Sequence, residues 1–179
     1  MPFTPIQVHT PAFNAFWNIY EEAFPSDERR EKKQQEAVMK RKEYQLLGYY
    51  AQEKMVGFMA SWTFPEFIIF EHLAIEAPLR NNGLGSAMIR EYLQNEPRRV
   101  VVEVEKPETS VNAARRIRFY DRLKFKVSPY RYTQPPYSAT KNPVSMKMIT
   151  NKAMTPEEYD NIRAKIHKEL YGLAKPLLD

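Results

Sequence analysis

The sequence predicts an α/β fold, and two observations support this prediction. Stretches rich in apolar and β-branched residues alternate along the chain with stretches whose apolar residues recur at helical spacing. One strand-like stretch, 67–75, leads into a glycine-containing loop, and a helical stretch from Ser86 to Gln94 follows that loop. The predicted order of elements along the whole chain is ααβββαβαββα.

In the first half of the chain, Thr10 and Pro11 are typical of a helix N-cap and first helical residue. Aromatic residues then follow helical spacing as far as Phe24. The charges after Pro25 alternate in sign and predict a second, solvated helix from Glu28 to about Lys40. Strands are predicted at 44–51, 55–63 and 67–75, and the first two form a hairpin.

In the second half, a run of valines predicts a strand at 98–105, and a helix follows it as far as Leu123. Further strands are predicted at 125–128 and 144–149, on either side of a Tyr- and Pro-rich loop at 130–137. A capping box beginning at Thr155 predicts a C-terminal helix that ends at Gly172. We expect the apolar stripe of this helix to pack on its own domain.

The loop before the third helix predicts an anion site. A strand that enters a glycine loop followed by a helix aims unpaired backbone N–H groups, and the positive end of the helix dipole, at one point. A phosphate or pyrophosphate suits that point. The loop lacks the Gly-Lys-Ser/Thr of a P-loop, and Met88 stands where a Rossmann fingerprint has its third glycine. The candidate ligand-binding residues are Arg80, Asn81, Asn82, Gly83, Leu84, Gly85 and Ser86.

The spacing Arg80-x-x-Gly83-x-Gly85 resembles the Q/R-x-x-G-x-G/A signature of the GNAT superfamily of N-acetyltransferases, which bind the pyrophosphate of acetyl-CoA. The later segment 116–125 is similar to the second motif of the family, a helix that carries an aromatic-Tyr pair into a strand. Lys124 stands where that motif has glycine. The resemblance covers about residues 1–150 and implies a mixed central β-sheet flanked by helices. Residues 151–179 would then be an added helical extension.

The resemblance also implies roles for individual residues. Leu73, Ala74 and Ile75 would pair their backbone with the pantetheine arm of acetyl-CoA, and Tyr120 would be the general acid that faces the sulfur. The family often has Asn seven residues before that Tyr. That Asn contacts the pantetheine arm. Ala113 holds this position here, and its neighbour Asn112 is the candidate cofactor-binding residue, one residue out of register.

The general base is left open between three possibilities. Glu71 is the first choice, because in a regular strand its side chain shares a face with Leu73. A β-bulge would exchange the faces and favour His72. The third possibility is a water relay. A structural role is the alternative for Tyr120, which also fits the apolar stripe of its helix.

The composition limits the chemistry. The chain has no cysteine, which excludes disulfides, thiolate metal sites and a covalent Cys intermediate, so direct attack on acetyl-CoA is expected. No apolar run is long enough to span a bilayer, and we expect no metal, a cytoplasmic location, and a monomer or homodimer. The acceptor is predicted to be a primary amine of a small molecule or peptide, and 130–137 could wall its pocket or simply pack as a loop.

Two other functions remain open at this point. One is a catalytically silent CoA-binding or interaction module. The other, less favoured, is nucleic-acid binding, because 98–132 carries ten Lys and Arg against four Asp and Glu, a net charge of +6.

Overall fold

The computed structural model describes residues 3–177, and the chain divides into two compact units, 1–98 and 99–179. The elements of unit 1 are β1 (Phe3–Pro5), α1 (Pro11–Ala23), α2 (Lys32–Val38), β2 (Tyr44–Ala51), β3 (Lys54–Thr63), β4 (Phe67–Ile75) and α3 (Leu84–Leu93). The elements of unit 2 are β5 (Arg99–Glu105), α4 (Val111–Arg122), β6 (Lys126–Val127), β7 (Tyr132–Gln134), β8 (Val144–Thr150) and α5 (Pro156–Glu169).

Unit 1 contains an antiparallel sheet in the order β1-β2-β3-β4. The aromatic stripe of α1 packs on this sheet, where the rings of Phe16 and Phe58 meet edge to face with centroids 4.7 Å apart. Thr10 caps α1 by accepting a hydrogen bond from the Phe13 N–H at 3.2 Å, as its sequence predicts. This packing fixes β3 and β4, which carry the candidate site of unit 1.

The predicted charged helix at 28–40 is wrong in its bounds. Residues 26–28 form a short 3-10 turn, the backbone is extended at Arg29 and Glu31, and α2 covers only Lys32–Val38. The physical reason lies in two contacts. Tyr20 accepts a hydrogen bond from the Arg30 N–H at 2.9 Å. A capping box between Glu31 and Gln34 then starts the helix at Lys32. Arg30 is buried rather than solvated.

In unit 2, β5, β6 and β7 all pair antiparallel with β8. The helix α5 begins with the predicted capping box, in which Thr155 and Glu158 exchange hydrogen bonds. The buried side chains of α5 are Tyr159, Ile162, Ile166 and His167. Arg99 of β5 donates hydrogen bonds to the Ala153 carbonyl and to Glu158, so the C-terminal region contacts the strands of its own unit.

The predicted long elements are present, with bounds that shift by one to a few residues. The short strands β1 and β7 were not predicted, because a three-residue strand has too few side chains for a periodic pattern. The helix α3 begins at Leu84, two residues earlier than predicted. Among residues 3–177, none of the helices combines the length and apolar character that a bilayer crossing needs.

Candidate functional site

The N-terminus of α3 is open. Gly83 is its N-cap residue, with φ of 81° in the left-handed region, and no side chain forms a capping hydrogen bond there. Its carbonyl accepts the first helical bond, from the Ala87 N–H at 3.0 Å. The N–H groups of Leu84, Gly85 and Ser86 precede that bond and have no carbonyl partner within the helix. An L side chain at Gly83 would be strained, so glycine suits this turn.

Two of the predicted anion ligands differ from expectation. Gly85 lies inside the first turn of α3, and the backbone reverses at Asn81, with φ of 68°, and at Gly83 instead. Asn is the non-glycine residue that tolerates this conformation well. The Arg80 guanidinium is engaged within unit 1, donating to the Ile75 carbonyl at 2.8 Å and to Glu22 at 2.7 Å. Two of its donors therefore contact protein atoms, and its role in phosphate binding stays a prediction.

A β-bulge interrupts β4 just before Leu73. Ala60 of β3 pairs with His72 and the next residue, Ser61, pairs with Phe70, so Glu71 is the extra residue on β4. Beyond the bulge, Leu73, Ala74 and Ile75 pair in regular register with Met59, Phe58 and Gly57. The expectation that Glu71 shares a face with Leu73 assumed a regular strand, and the strand is not regular there.

The Glu71 carboxylate is buried in an ion pair. Its Oε1 lies 2.5 Å from Nη2 of Arg30, and its Oε2 accepts a hydrogen bond from the Trp62 indole at 2.9 Å. The Glu71 side chain is 0% exposed and that of Arg30 is 5% exposed. Burial alone would raise the pKa of Glu71, but the charge of Arg30, helped by His72 and the two hydrogen bonds, holds that pKa below its usual value. Glu71 is thus a stable anion.

His72 is buried beside it. Its Nε2 lies 2.8 Å from the Glu28 carbonyl, which can only accept, so Nε2 carries the proton in this contact. Burial lowers the pKa of His72 to about 4, against the opposing effect of the Glu71 charge. The imidazole is therefore neutral at pH 7, and its ring packs edge to face against Tyr20 and Phe24.

Tyr120 and Asn112 lie on α4 in unit 2. Tyr120 is buried, and its ring packs against Phe119 and Phe125 with centroids 5.1 and 5.4 Å away. Burial raises the pKa of Tyr120 above its ordinary value, although the charge of Arg116 opposes this. The phenol is therefore protonated at neutral pH. Asn112 is exposed in the first turn of α4, whereas its neighbour Ala113 is fully buried.

The aromatic residues of 130–137 pack within unit 2. Tyr132 and Gln134 are buried, and the Tyr132 hydroxyl donates a hydrogen bond to Glu103. Tyr130 and Tyr137 pack their rings against Tyr159 and Tyr171. Of the two sequence interpretations of this segment, loop packing accounts for these four residues.

The partners of Glu71 are not predictable from the local sequence. Trp62 lies on the neighbouring strand β3, but Arg30 lies far from Glu71 in the chain, in a run of charges that is typical of a solvated helix. No local pattern marks a residue that a distant carboxylate will draw into the interior. The bulge that accompanies this pair also leaves no signature in the sequence of β4.

Comparison with known proteins identifies the class. The model of the Acetyltransferase (GNAT) family matches residues 10–125. A putative acetyltransferase from GNAT family from Bacteroides thetaiotaomicron is 30% identical, with a TM-score of 0.89 over 97% of this chain and 99% of that one. A comparison with curated protein sequences finds no match.

More distant structures share the fold. The ribosomal-protein-S18-alanine N-acetyltransferase from Escherichia coli is 16% identical, with a TM-score of 0.59 over 87% of this chain and 96% of that one. A GNAT family acetyltransferase from Elizabethkingia anophelis with acetyl-CoA bound is 11% identical, with a TM-score of 0.57 over 85% of this chain and 97% of that one.

The fold is that of the acetyltransferases found in this comparison. The chain belongs to the GNAT acetyltransferase family. The predictions of an α/β fold, of an N-acetyltransferase and of acetyl-CoA as cosubstrate are confirmed at the level of this family. The assignment of individual residues to cofactor binding and catalysis stays a prediction.

Proposed function

We propose that this protein transfers an acetyl group from acetyl-CoA directly to a primary amine of a small molecule or peptide. The observation that carries the proposal is the uncapped N-terminus of α3, which follows β4 through an exposed loop at Gly83. Three backbone N–H groups and a helix dipole favour the pyrophosphate of acetyl-CoA at this point. Because the chain has no cysteine, the scheme needs no covalent Cys intermediate.

For the rest of the cofactor we retain the sequence predictions as proposals. The backbone of Leu73, Ala74 and Ile75 would hold pantetheine, and Asn81 and Asn82 would flank the pyrophosphate. Asn112 is exposed and so is open to a ligand. Arg80 is better described as a positioning residue, because its contacts with Ile75 and Glu22 hold the start of the loop.

We propose Tyr120 as the general acid that protonates the departing CoA thiolate. The phenol carries its proton at neutral pH, although burial raises its pKa and so makes it a weaker acid. The role rests on the resemblance of 116–125 to the second family motif. A ring packed on Phe125 also has few alternative orientations, which favours a fixed direction for the hydroxyl.

For the base we propose a water relay. Glu71 binds protons poorly, because its ion pair with Arg30 lowers its pKa, and His72 has a pKa of about 4. A group with so low a pKa takes up little of the proton of an alkylammonium ion at pH 7. Glu71 and His72 would then position β4 and the segment around Glu28 rather than carry the proton.

The remaining sequence predictions also stay proposals. We place the enzyme in the cytoplasm as a monomer or homodimer, and we treat 151–179 as an extension of the domain at 1–150. The contacts of Arg99 with Ala153 and Glu158 support the last point.

The proposal is tested by an acetyl-transfer assay that follows thiol release from acetyl-CoA together with the mass of the acetylated product. The acceptor panel contains small primary amines, aminoglycosides and peptides with a free N-terminus. We expect product with at least one acceptor class. Tight acetyl-CoA binding without transfer to any acceptor would instead favour a silent CoA-binding module.

Within this assay, Tyr120→Phe removes only the hydroxyl. If Tyr120 is the acid, kcat should fall by about 100-fold with acetyl-CoA affinity nearly unchanged. Tyr50→Phe is the matched control, because it removes a half-buried hydroxyl from β2. A parallel loss of kcat and of melting temperature in Tyr120→Phe would assign the residue to packing.

A further inference from the structure

A cleft opens on unit 2. It has a volume of about 420 Å³, which is within the range of small-molecule sites. Residues from the end of β5, from the segment entering β7 and from β8 line it. They are Lys106, Glu108, Arg131, Tyr132, Thr133, Ser145, Met146 and Lys147.

The cleft is cationic. Lys106, Arg131 and Lys147 contribute three positive charges and Glu108 one negative charge, which leaves a net charge of +2. Within the described part of the chain, residues 3–177, none of the three cations forms an ion pair with a carboxylate. Glu105, which precedes Lys106 in the chain, is engaged elsewhere, in an ion pair with Arg116 at 2.8 Å. With Glu108 counted, the cleft keeps a net positive charge.

The sheet register brings these cations to one face. Lys147 of β8 pairs with Val104 of β5, and Ser145 pairs with Thr133 of β7. Because side chains alternate along a strand, Lys147 and Ser145 point to the same side of the sheet. Lys106 directly follows β5 and Arg131 directly precedes β7. The pairing of both strands with β8 therefore places their backbones close to 145–147.

Hydrogen bonds and ring contacts hold the segment of the cleft lining that carries Arg131. The Tyr159 hydroxyl of α5 donates a hydrogen bond to the Arg131 carbonyl, and the ring of Tyr130 packs on that of Tyr159. Glu103 accepts hydrogen bonds from the hydroxyls of Tyr132 and Tyr171, the latter at 2.6 Å. These contacts fix the backbone of β7 against β5 and α5. The backbone that carries the Arg131 side chain is therefore held in place.

We propose that this cleft is a binding site for a phosphate-bearing small molecule. A guanidinium can contact two phosphate oxygens at once, and two ammonium groups supply further charge-assisted hydrogen bonds. The hydroxyls of Thr133 and Ser145 add neutral donors. The proposal concerns residues of unit 2 alone and does not depend on acetyl transfer.

Calorimetric titration with inorganic pyrophosphate at low salt tests the proposal. The protein carries Gly85→Asp in every sample, so that the N-terminus of α3 does not contribute. We expect Lys106→Gln and Lys147→Gln each to weaken binding by about tenfold. Lys175→Gln is the control, because it removes an exposed charge of the same unit outside the cleft, and it should bind pyrophosphate as the parent does.

Equal affinities in the three glutamine variants, or no binding by the parent at millimolar pyrophosphate, would overturn the proposal. Melting temperatures of all samples exclude unfolding as the cause of a loss.

The same variants, without Gly85→Asp, distinguish two sources of the phosphate. Weaker binding of CoA with unchanged binding of dephospho-CoA would assign the cleft to the 3′-phosphate of the cofactor. Weaker binding of pyrophosphate alone would assign it to a separate ligand. A protein that binds pyrophosphate in the cleft but transfers no acetyl group would refute the proposed function and leave this site in place.

Discussion

The connection from β4 to α3 and the connection from β5 to α4 both join a strand to a helix, but they differ in which groups they leave available. At α4, the Ser110 hydroxyl accepts a hydrogen bond from the Ala113 N–H at 3.0 Å, so the helix terminus is closed. At α3 no side chain caps the terminus. For the charged side chains, unit 1 is the one whose groups are occupied: Glu71 and Arg80 are both in ion pairs. In unit 2, Lys106 has no carboxylate partner among residues 3–177.

This difference indicates two ways of recognising an anion in one chain. In unit 1 the backbone is the donor, and the strand side chains hold the segments around it in place. In unit 2 a side-chain cap takes up one N–H group at the start of α4, and lysine and arginine side chains supply the charge. Backbone donors are fixed by the fold, whereas the charge of side chains can be removed one group at a time by mutation.

The largest effect is expected for closing the open terminus. Gly85→Asp places a carboxylate where the pyrophosphate is proposed to lie, and acetyl-CoA binding should weaken by at least about 100-fold in calorimetry. Stability should change little, because Asp is favourable in the first turn of a helix.

Gly85→Asn is the matched control for this variant, since it has nearly the same size without the charge. It should lose less affinity than Gly85→Asp. Unchanged acetyl-CoA affinity in Gly85→Asp would move the cofactor away from α3.

The next effect concerns the buried ion pair. Arg30→Met leaves the Glu71 carboxylate buried without its cation, and the free energy of unfolding should fall by about 3–5 kcal/mol. Denaturant unfolding at pH 7 measures it. Lys126→Met removes the exposed pair with Asp121 and should cost far less, because water and salt screen an exposed pair. Equal effects in the two variants would show that Glu71 does not depend on Arg30 for its charge.

A smaller effect is expected at the closed terminus. Ser110→Ala removes the cap of α4 and should lower the free energy of unfolding by about 1 kcal/mol, as measured by denaturant unfolding. Acetyl-CoA affinity should remain that of the parent if the anion site is at α3. A loss of affinity comparable with that of Gly85→Asp would remove the distinction between the two termini.

The smallest effect is expected at the other end of α4. Lys124 has φ of 69°, a left-handed conformation that favours glycine, which is the residue that the second family motif has there. Lys124→Gly should raise the free energy of unfolding by up to about 1 kcal/mol, because relief of strain outweighs the added freedom of the unfolded chain. A lower melting temperature would show that Lys124 is not strained.

The sequence by itself determined the long elements, the loop at 80–86 and the family. These depend on local patterns: apolar periodicity for β2 and β4, a capping box for α5, and glycine spacing for the start of α3. The replacement of the motif glycine by Lys124 is also visible in the sequence, because it concerns a single position. Such features are visible in a sequence because neighbouring residues produce them.

Only the tertiary structure decided the state of the charged groups. Glu71 became a paired anion because Arg30, which lies far from it in the chain, packs against it, while the pairing of β3 with β4 brings Trp62. Lys147 joined Lys106 and Arg131 through the register of β8 with β5 and β7. The pKa and the partner of an ionisable group depend on burial and on charges a few ångströms away, and those are set by long-range packing rather than by sequence neighbours.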